Sequence, residues 1–303
     1  MIPIYVNRVR VCQTLNQLNA AHIGLERLIT PAELIELWQT GFVEDGLCEA
    51  TAVVNPNFER PEYRANVRAW LERTKTFHDL ARKAEIEPFL RREIARSLTL
   101  FYGPGERAEK TLLLCFNGVA NAPMMPPVTL LQVLDARRVD IAMLKDIPFR
   151  GFCQGMVDIG DSLEAVIAAL PGLLTIGAYR QVCVLGISGG ALASLFVAQR
   201  LHLRSVLMCG SRGLDDKRWD RGDGVSIAQW ITAGRQLAPD LRVVVTHGKG
   251  YERDERPANE LAPLLGITPR VISSPHEEIG HNTLFPQLKD GRLGAFLVET
   301  LGL

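Results

Sequence analysis

The stretch Gln181–Arg200, QVCVLGISGGALASLFVAQR, constrains the fold more than any other part of the chain. Val182-Cys183-Val184-Leu185 is a short apolar run of the kind that forms a strand buried on both faces, and Ala191–Gln199 has the composition of a buried helix. Between them lies Gly186-Ile187-Ser188-Gly189-Gly190. A serine on so sharp a strand-to-helix turn has a strained backbone, and side chains two positions before and after it would collide; glycine at 186 and 190 removes them. The Ser188 hydroxyl then stands clear of the sheet as a candidate nucleophile. Gly189 N–H, at the helix N-terminus, becomes a candidate donor to developing negative charge. With 26 glycines in 303 residues, the five-residue pattern alone arises by chance in roughly one such chain in ten to twenty. The flanking strand and helix therefore carry the assignment.

From Ser97 onward the pattern alternates strand and helix. Leu98–Tyr102, Thr111–Phe116, Val139–Leu144, the elbow strand, Ser205–Cys209, Leu241–Thr246 and Arg270–Ser273 read as strands. Val128–Ala136, Ser162–Leu170, Ala191–Gln199 and Leu293–Leu301 read as helices. This order predicts an α/β domain over 97–303, with a mostly parallel central sheet and helices on both faces. Segment 211–240 is irregular, polar and turn-rich, with a short helix near Ile227–Ala233, and is placed to form part of a lid or pocket wall.

Residues 1–96 differ and read as a mainly helical region serving as cap, docking or packing extension. Val6–Val11 alternates like an edge strand. Thr30-Pro31-Ala32-Glu33 supplies an N-cap, a helix-opening proline and an acidic first turn for a helix through Trp38. Pro61 opens a longer helical pattern that ends near Lys83 or continues to about Arg96 with a break near Pro88.

Lys and Arg together number 34, as do Asp and Glu, so no net field attracts nucleic acid or an anionic membrane. No apolar run reaches the length of a bilayer span, and MIPIYVNRVRVCQTLNQ lacks the order of a secretory signal. A cytoplasmic protein is the expectation. The six cysteines form no C-x-x-C pair and read as reduced thiols, mostly core filler, which gives no reason to expect a metal or other cofactor.

A serine nucleophile needs a base, and the base needs a carboxylate to orient it. In a parallel sheet the useful positions are loops leaving the carboxyl ends of strands. His247, His276 and His281 meet that condition, and Gly280-His281-Asn282 is preferred because the glycine allows close approach to the elbow. The acid is sought in the loop His247–Pro257, where Asp254 is preferred over Glu252 and Glu255, with Asp215 an outside candidate. Asn117-Gly118-Val119-Ala120-Asn121 follows an early strand, and Val119 N–H is the candidate second donor to the oxyanion. Asn117 itself, Met124 and Met125 are candidate substrate-binding residues beside it.

On these residues the chain resembles the α/β-hydrolase superfamily: the Gly186–Gly190 elbow, the Asn117-Gly118-Val119 loop, and the order Ser188, Asp254, His281 over about 97–303. The resemblance implies a serine hydrolase acting on a small-molecule ester or thioester through an acyl-enzyme, without cofactor. An acyltransferase, a peptidase and a catalytically silent scaffold remain open beside it.

Overall fold

The computed structural model describes residues 87–118, 121–219, 224–273 and 280–303, with positions 24, 30 and 80 alone before them. The readings for Val6–Val11, the helix through Trp38 and the helix opening at Pro61 fall outside the described residues. By its internal contacts the chain divides into two units, residues 1–90 with 126–133, and 91–125 with 134–303. Within the first, Pro127–Leu131 forms a one-turn helix (α1) opened by proline at its first position. It is shorter than the Val128–Ala136 helix expected, because turns replace it from Gln132 onward.

The eight-stranded sheet runs β1 (Leu90–Ala95), β2 (Leu98–Tyr102), β4 (Val139–Leu144), β3 (Thr111–Phe116), β5 (Gln181–Ile187), β6 (Ser205–Cys209), β7 (Arg242–Gly248) and β8 (Arg270–Ile272) in spatial order. β2 pairs antiparallel with β4, and every pairing from β4 through β8 is parallel. This strand order with an inverted second strand is the α/β-hydrolase fold. β1 corrects the reading of a helix reaching Arg96: Leu90–Ala95 is a sheet-edge strand with no fully buried position, where charged side chains are tolerated. β3, β4 and β6 are buried along their whole length, in keeping with their mainly apolar runs, which Asp140 alone interrupts with a charge.

The connecting helices are α2 (Leu163–Leu174), α3 (Ala191–Arg200), α4 (Ile227–Leu237), α5 (Glu252–Leu265), α6 (Leu284–Lys289) and α7 (Leu293–Leu301). Ser162 caps α2 by accepting from Ala165 N–H, and Ser226 with Gln229 forms a capping box on α4, so both begin where their side chains satisfy orphan donors. α3 is buried at every position except Arg200, and its Leu192, Leu195 and Phe196 join the main core cluster with Leu114, Phe116, Val184 and Met208 of the sheet. Among the described residues no helix is long and apolar enough to cross a membrane.

At the amino ends of β3 and β4, Lys110 and Asp140 form a buried ion pair at 2.7 Å. Lys110 Nζ also donates to Gly103 O at 2.8 Å, and Asp140 accepts from Tyr179 Oη at 2.9 Å and from Gly103 N–H at 3.2 Å. Each charge is thus paired and hydrogen-bonded, the condition under which burial is tolerated. Replacing Asp140 by Ala strands the ammonium of Lys110, and a loss of about 3–5 kcal/mol is expected in chemical denaturation; a loss within experimental error would show that Lys110 escapes to water.

Candidate active site

Ser188 sits at φ +51°, a left-handed conformation that costs a residue with a side chain about 1–2 kcal/mol. It leads a single 3-10 turn, Ser188–Gly190, between β5 and α3. The glycines that flank it are required by contact, since neither takes a positive φ. A Cβ on Gly186 would overlap the Ser194 side chain and lie 2.8 Å from Ala191 Cα, and one on Gly190 would lie 2.5 Å from Phe116 O. β5 and α3 therefore pack at a separation that only glycine allows.

The other candidate residues converge on the same end of the sheet. Ile187, Cys209 and Thr246 stand in register across β5, β6 and β7, and Arg270 of β8 pairs with Thr246. Ser188 and Gly210 are the next residues along neighbouring strands, which run about 4.8 Å apart. Gly210, at φ +59°, marks the place of the histidine: a Cβ there would fall 2.7 Å from His281 Cε1 and 3.0 Å from Asp254 Oδ2. The imidazole thus lies over Gly210, one strand from Ser188. No hydrogen bond joins His281 to Ser188 Oγ among the described residues, and Ser188 is 8% exposed. Sequence reasoning passed over Gly210, although a glycine ending a buried strand beside the elbow is itself a signal of close approach.

His281 Nδ1 and Asp254 Oδ2 are 2.7 Å apart. Asp254 is 2% exposed, whereas the His281 side chain keeps about a third of its surface. The acid-bearing segment is not the long loop expected: β7 continues through His247 and Gly248, and α5 begins at Glu252. Asp254 consequently lies in the first turn of a 14-residue helix, where the dipole favours a carboxylate. Glu252 is exposed and Glu255 half-exposed. Asp215 pairs with Arg256 in solvent at 3.2 Å, and His247 is buried in β7 with Nδ1 3.1 Å from Gly248 O. None of these four reaches His281 in a hydrogen bond. His276 lies outside the described residues.

The histidine loop is tied down on both sides. Asn282 Nδ2 donates to Met124 O at 2.6 Å, and its Oδ1 accepts from Phe285 N–H at 3.0 Å at the start of α6. Buried Thr283 hydrogen-bonds with Thr246 of β7 at 3.2 Å, and the Tyr251 ring stands 6.5 Å from that of His281. The contacts to Met124 and Thr246 join residues far apart in sequence and carry no local pattern.

On the other side of Ser188, the loop after β3 approaches through Gly118, where a Cβ would be 3.1 Å from Ser188 Cβ. Asn117 is buried with its Oδ1 accepting from Cys115 Sγ at 3.4 Å, and its Nδ2 has no partner. Val119 lies outside the described residues. Met124 takes φ +60° and is half-exposed, and Met125 is buried. The four described cysteines, 115, 153, 183 and 209, are free. Burial pushes the Cys209 thiol up to about 11 and the Cys153 thiol up to about 12, so neither is a thiolate at neutral pH. Among the described residues no cluster of His, Cys, Asp or Glu could hold a metal ion.

No protein-family model matches the chain, and no curated protein matches it. Solved structures do. The enterobactin esterase of Shigella flexneri aligns at 18% identity and TM-score 0.48 over 72% of this chain and 61% of its own, so the chain spans about three-fifths of that esterase. A fluorophosphonate-binding serine hydrolase of Staphylococcus aureus aligns at 10% identity and TM-score 0.48 over 70% of this chain and 99% of its own. Brefeldin A esterase, a bacterial homologue of human hormone-sensitive lipase, aligns at 13% identity and TM-score 0.44, covering 80% and 84%. Such distant likenesses leave the functional reading to the geometry of the site.

Gly210→Ala tests that geometry. A methyl group 2.7 Å from His281 Cε1, on a backbone at φ +59°, is expected to cost about 1–3 kcal/mol in urea denaturation and to shift the His281 imidazole resonances in NMR spectra. Unchanged stability and resonances would show that the ring is free to move aside.

Proposed function

We propose that the protein is a serine hydrolase that cleaves a carboxylic ester or thioester of a small molecule. One observation carries the reading: a serine strained into an elbow turn stands one strand from a histidine whose far nitrogen is held by a buried carboxylate. Asp254, unable to reach water, accepts from Nδ1–H and so presents the unprotonated Nε2 of His281 as the base. In this reading Ser188 Oγ attacks the substrate carbonyl while His281 takes its proton. Gly189 N–H and Val119 N–H receive the oxyanion, and the imidazolium formed is stabilised by Asp254.

Collapse of the tetrahedral adduct expels the alcohol or thiol, protonated by His281, and leaves an acyl group on Ser188. Water, deprotonated by the same histidine, then releases the acid and restores the serine. Catalytic hydrogen bonds such as one between His281 and Ser188 tighten when a substrate occupies the site. Asn117, Met124 and Met125 are assigned to the substrate side of the elbow, Asn117 offering an unpartnered buried amide.

Hydrolysis of 4-nitrophenyl esters tests the reading. Ser188→Ala is expected to lower kcat/KM by several orders of magnitude, and Asp254→Asn by roughly a thousandfold or more, because an amide at that position favours the wrong tautomer. Glu252→Gln, on the exposed face of α5, is expected to leave the rate within twofold. Retention of most activity in Ser188→Ala would refute the mechanism.

A further inference from the structure

The segment between β6 and α4 brings Arg218 against the elbow. Its Nη1 lies 3.1 Å from the place a Cβ on Gly189 would occupy. Asp216 takes the other edge of the guanidinium, with Nε donating at 3.0 and 3.1 Å and Nη2 at 2.5 Å. Burial alone would raise the Asp216 carboxyl, but these hydrogen bonds hold it below its ordinary value, so the pair stays ionised. A fork locked along one edge leaves its remaining nitrogen at a fixed position. Nη1 makes no hydrogen bond among the described residues.

A second donor points to the same place. Trp219 is 5% exposed, and its Nε1 is buried without a partner. Gly151, following β4, has no side chain at the point where these groups meet: a Cβ there would be 3.4 Å from Trp219 Nε1, 3.5 Å from Arg218 Cζ and 3.5 Å from Gly189 O. Arg212 Nε is a second buried donor without a partner, and Asp146 Oδ1 is a buried acceptor without one. Arg212 and Arg218 balance Asp146 and Asp216 in formal charge, so discrimination rests on the two donors placed beside Gly189, Arg218 Nη1 and Trp219 Nε1. Buried orphan donors are satisfied by a ligand rich in acceptors.

We propose that Arg218, with Trp219 Nε1, is a specificity-determining site that receives a carboxylate carried by the substrate next to its scissile ester. The proposal takes its substrate from the serine-hydrolase reading, while the anion site stands on Arg218 and Trp219 alone. A planar carboxylate matches one free guanidinium nitrogen and one indole N–H better than a uniform apolar chain would.

The test compares two esters of equal acyl length, mono-4-nitrophenyl glutarate and 4-nitrophenyl pentanoate, on the wild-type protein and on Arg218→Gln. The ratio of their kcat/KM values is expected to favour the glutarate ester in the wild type and to fall at least tenfold in Arg218→Gln. Arg218→Lys, which keeps the charge and loses the fork, is expected between the two and serves if the glutamine variant fails to fold. An unchanged ratio would overturn the proposal while leaving the hydrolase reading standing. If neither ester turns over, free glutarate at constant ionic strength decides. A rise in the unfolding midpoint of the wild type and not of Arg218→Gln would uphold the anion site without the hydrolase reading, and equal shifts or none would overturn the site.

Discussion

A serine held at φ +51° between a buried strand and a buried helix persists only where the surrounding backbone is close enough to hold it there. That closeness is the constraint on which the rest of the molecule depends. Gly186 lets β5 and α3 approach so that the Ser194 side chain fills the space its own would take, and Gly190 lets the start of α3 approach Phe116 O at the end of β3. The helix is buried over nearly its full length, and its burial against β3, β5 and β6 is what offsets the conformational cost at Ser188.

The same economy of side chains reaches the neighbouring strands. Gly118 brings the loop after β3 against Ser188, and Gly210 clears the space taken by the ring of His281. A carboxylate as buried as Asp254 needs compensation, which it receives from His281 and from its place in the first turn of α5. Asn282 and Thr283 then hold the histidine loop to Met124 and Thr246, so a ring with a third of its surface in solvent is still fixed at its base.

Much of this was legible in the sequence because it is local. Leu98–Tyr102, Thr111–Phe116, Val139–Leu144 and Ser205–Cys209 are strands with the bounds their apolar runs indicate. The elbow announces itself through glycine spacing between a β-branched run and an alanine-rich one. Other elements resisted for physical reasons. β1, with Arg91, Arg92 and Glu93 in six residues, has an edge strand's tolerance for charge and so resembles a helix surface. α5 was hidden by Pro257 and by the charge run Glu252–Arg256, whose one buried member is Asp254. Gly210 clears the ring of His281, Asn282 reaches Met124 and Arg218 reaches Gly189, contacts between distant segments that nothing adjacent in the chain signals. Residues 1–86 have only three described positions, and their reading as a helical extension stands as the sequence left it.

The central claim is that His281 and Asp254 make Ser188 nucleophilic. Labelling with a fluorophosphonate, followed by intact mass and peptide mapping, tests it most directly, because the reagent reports activation of the serine without requiring the natural substrate. The account predicts a single adduct on Ser188 in the wild-type protein, with labelling slowed by orders of magnitude in His281→Ala. A folded protein that takes no adduct, or one labelled equally fast without His281, would contradict it.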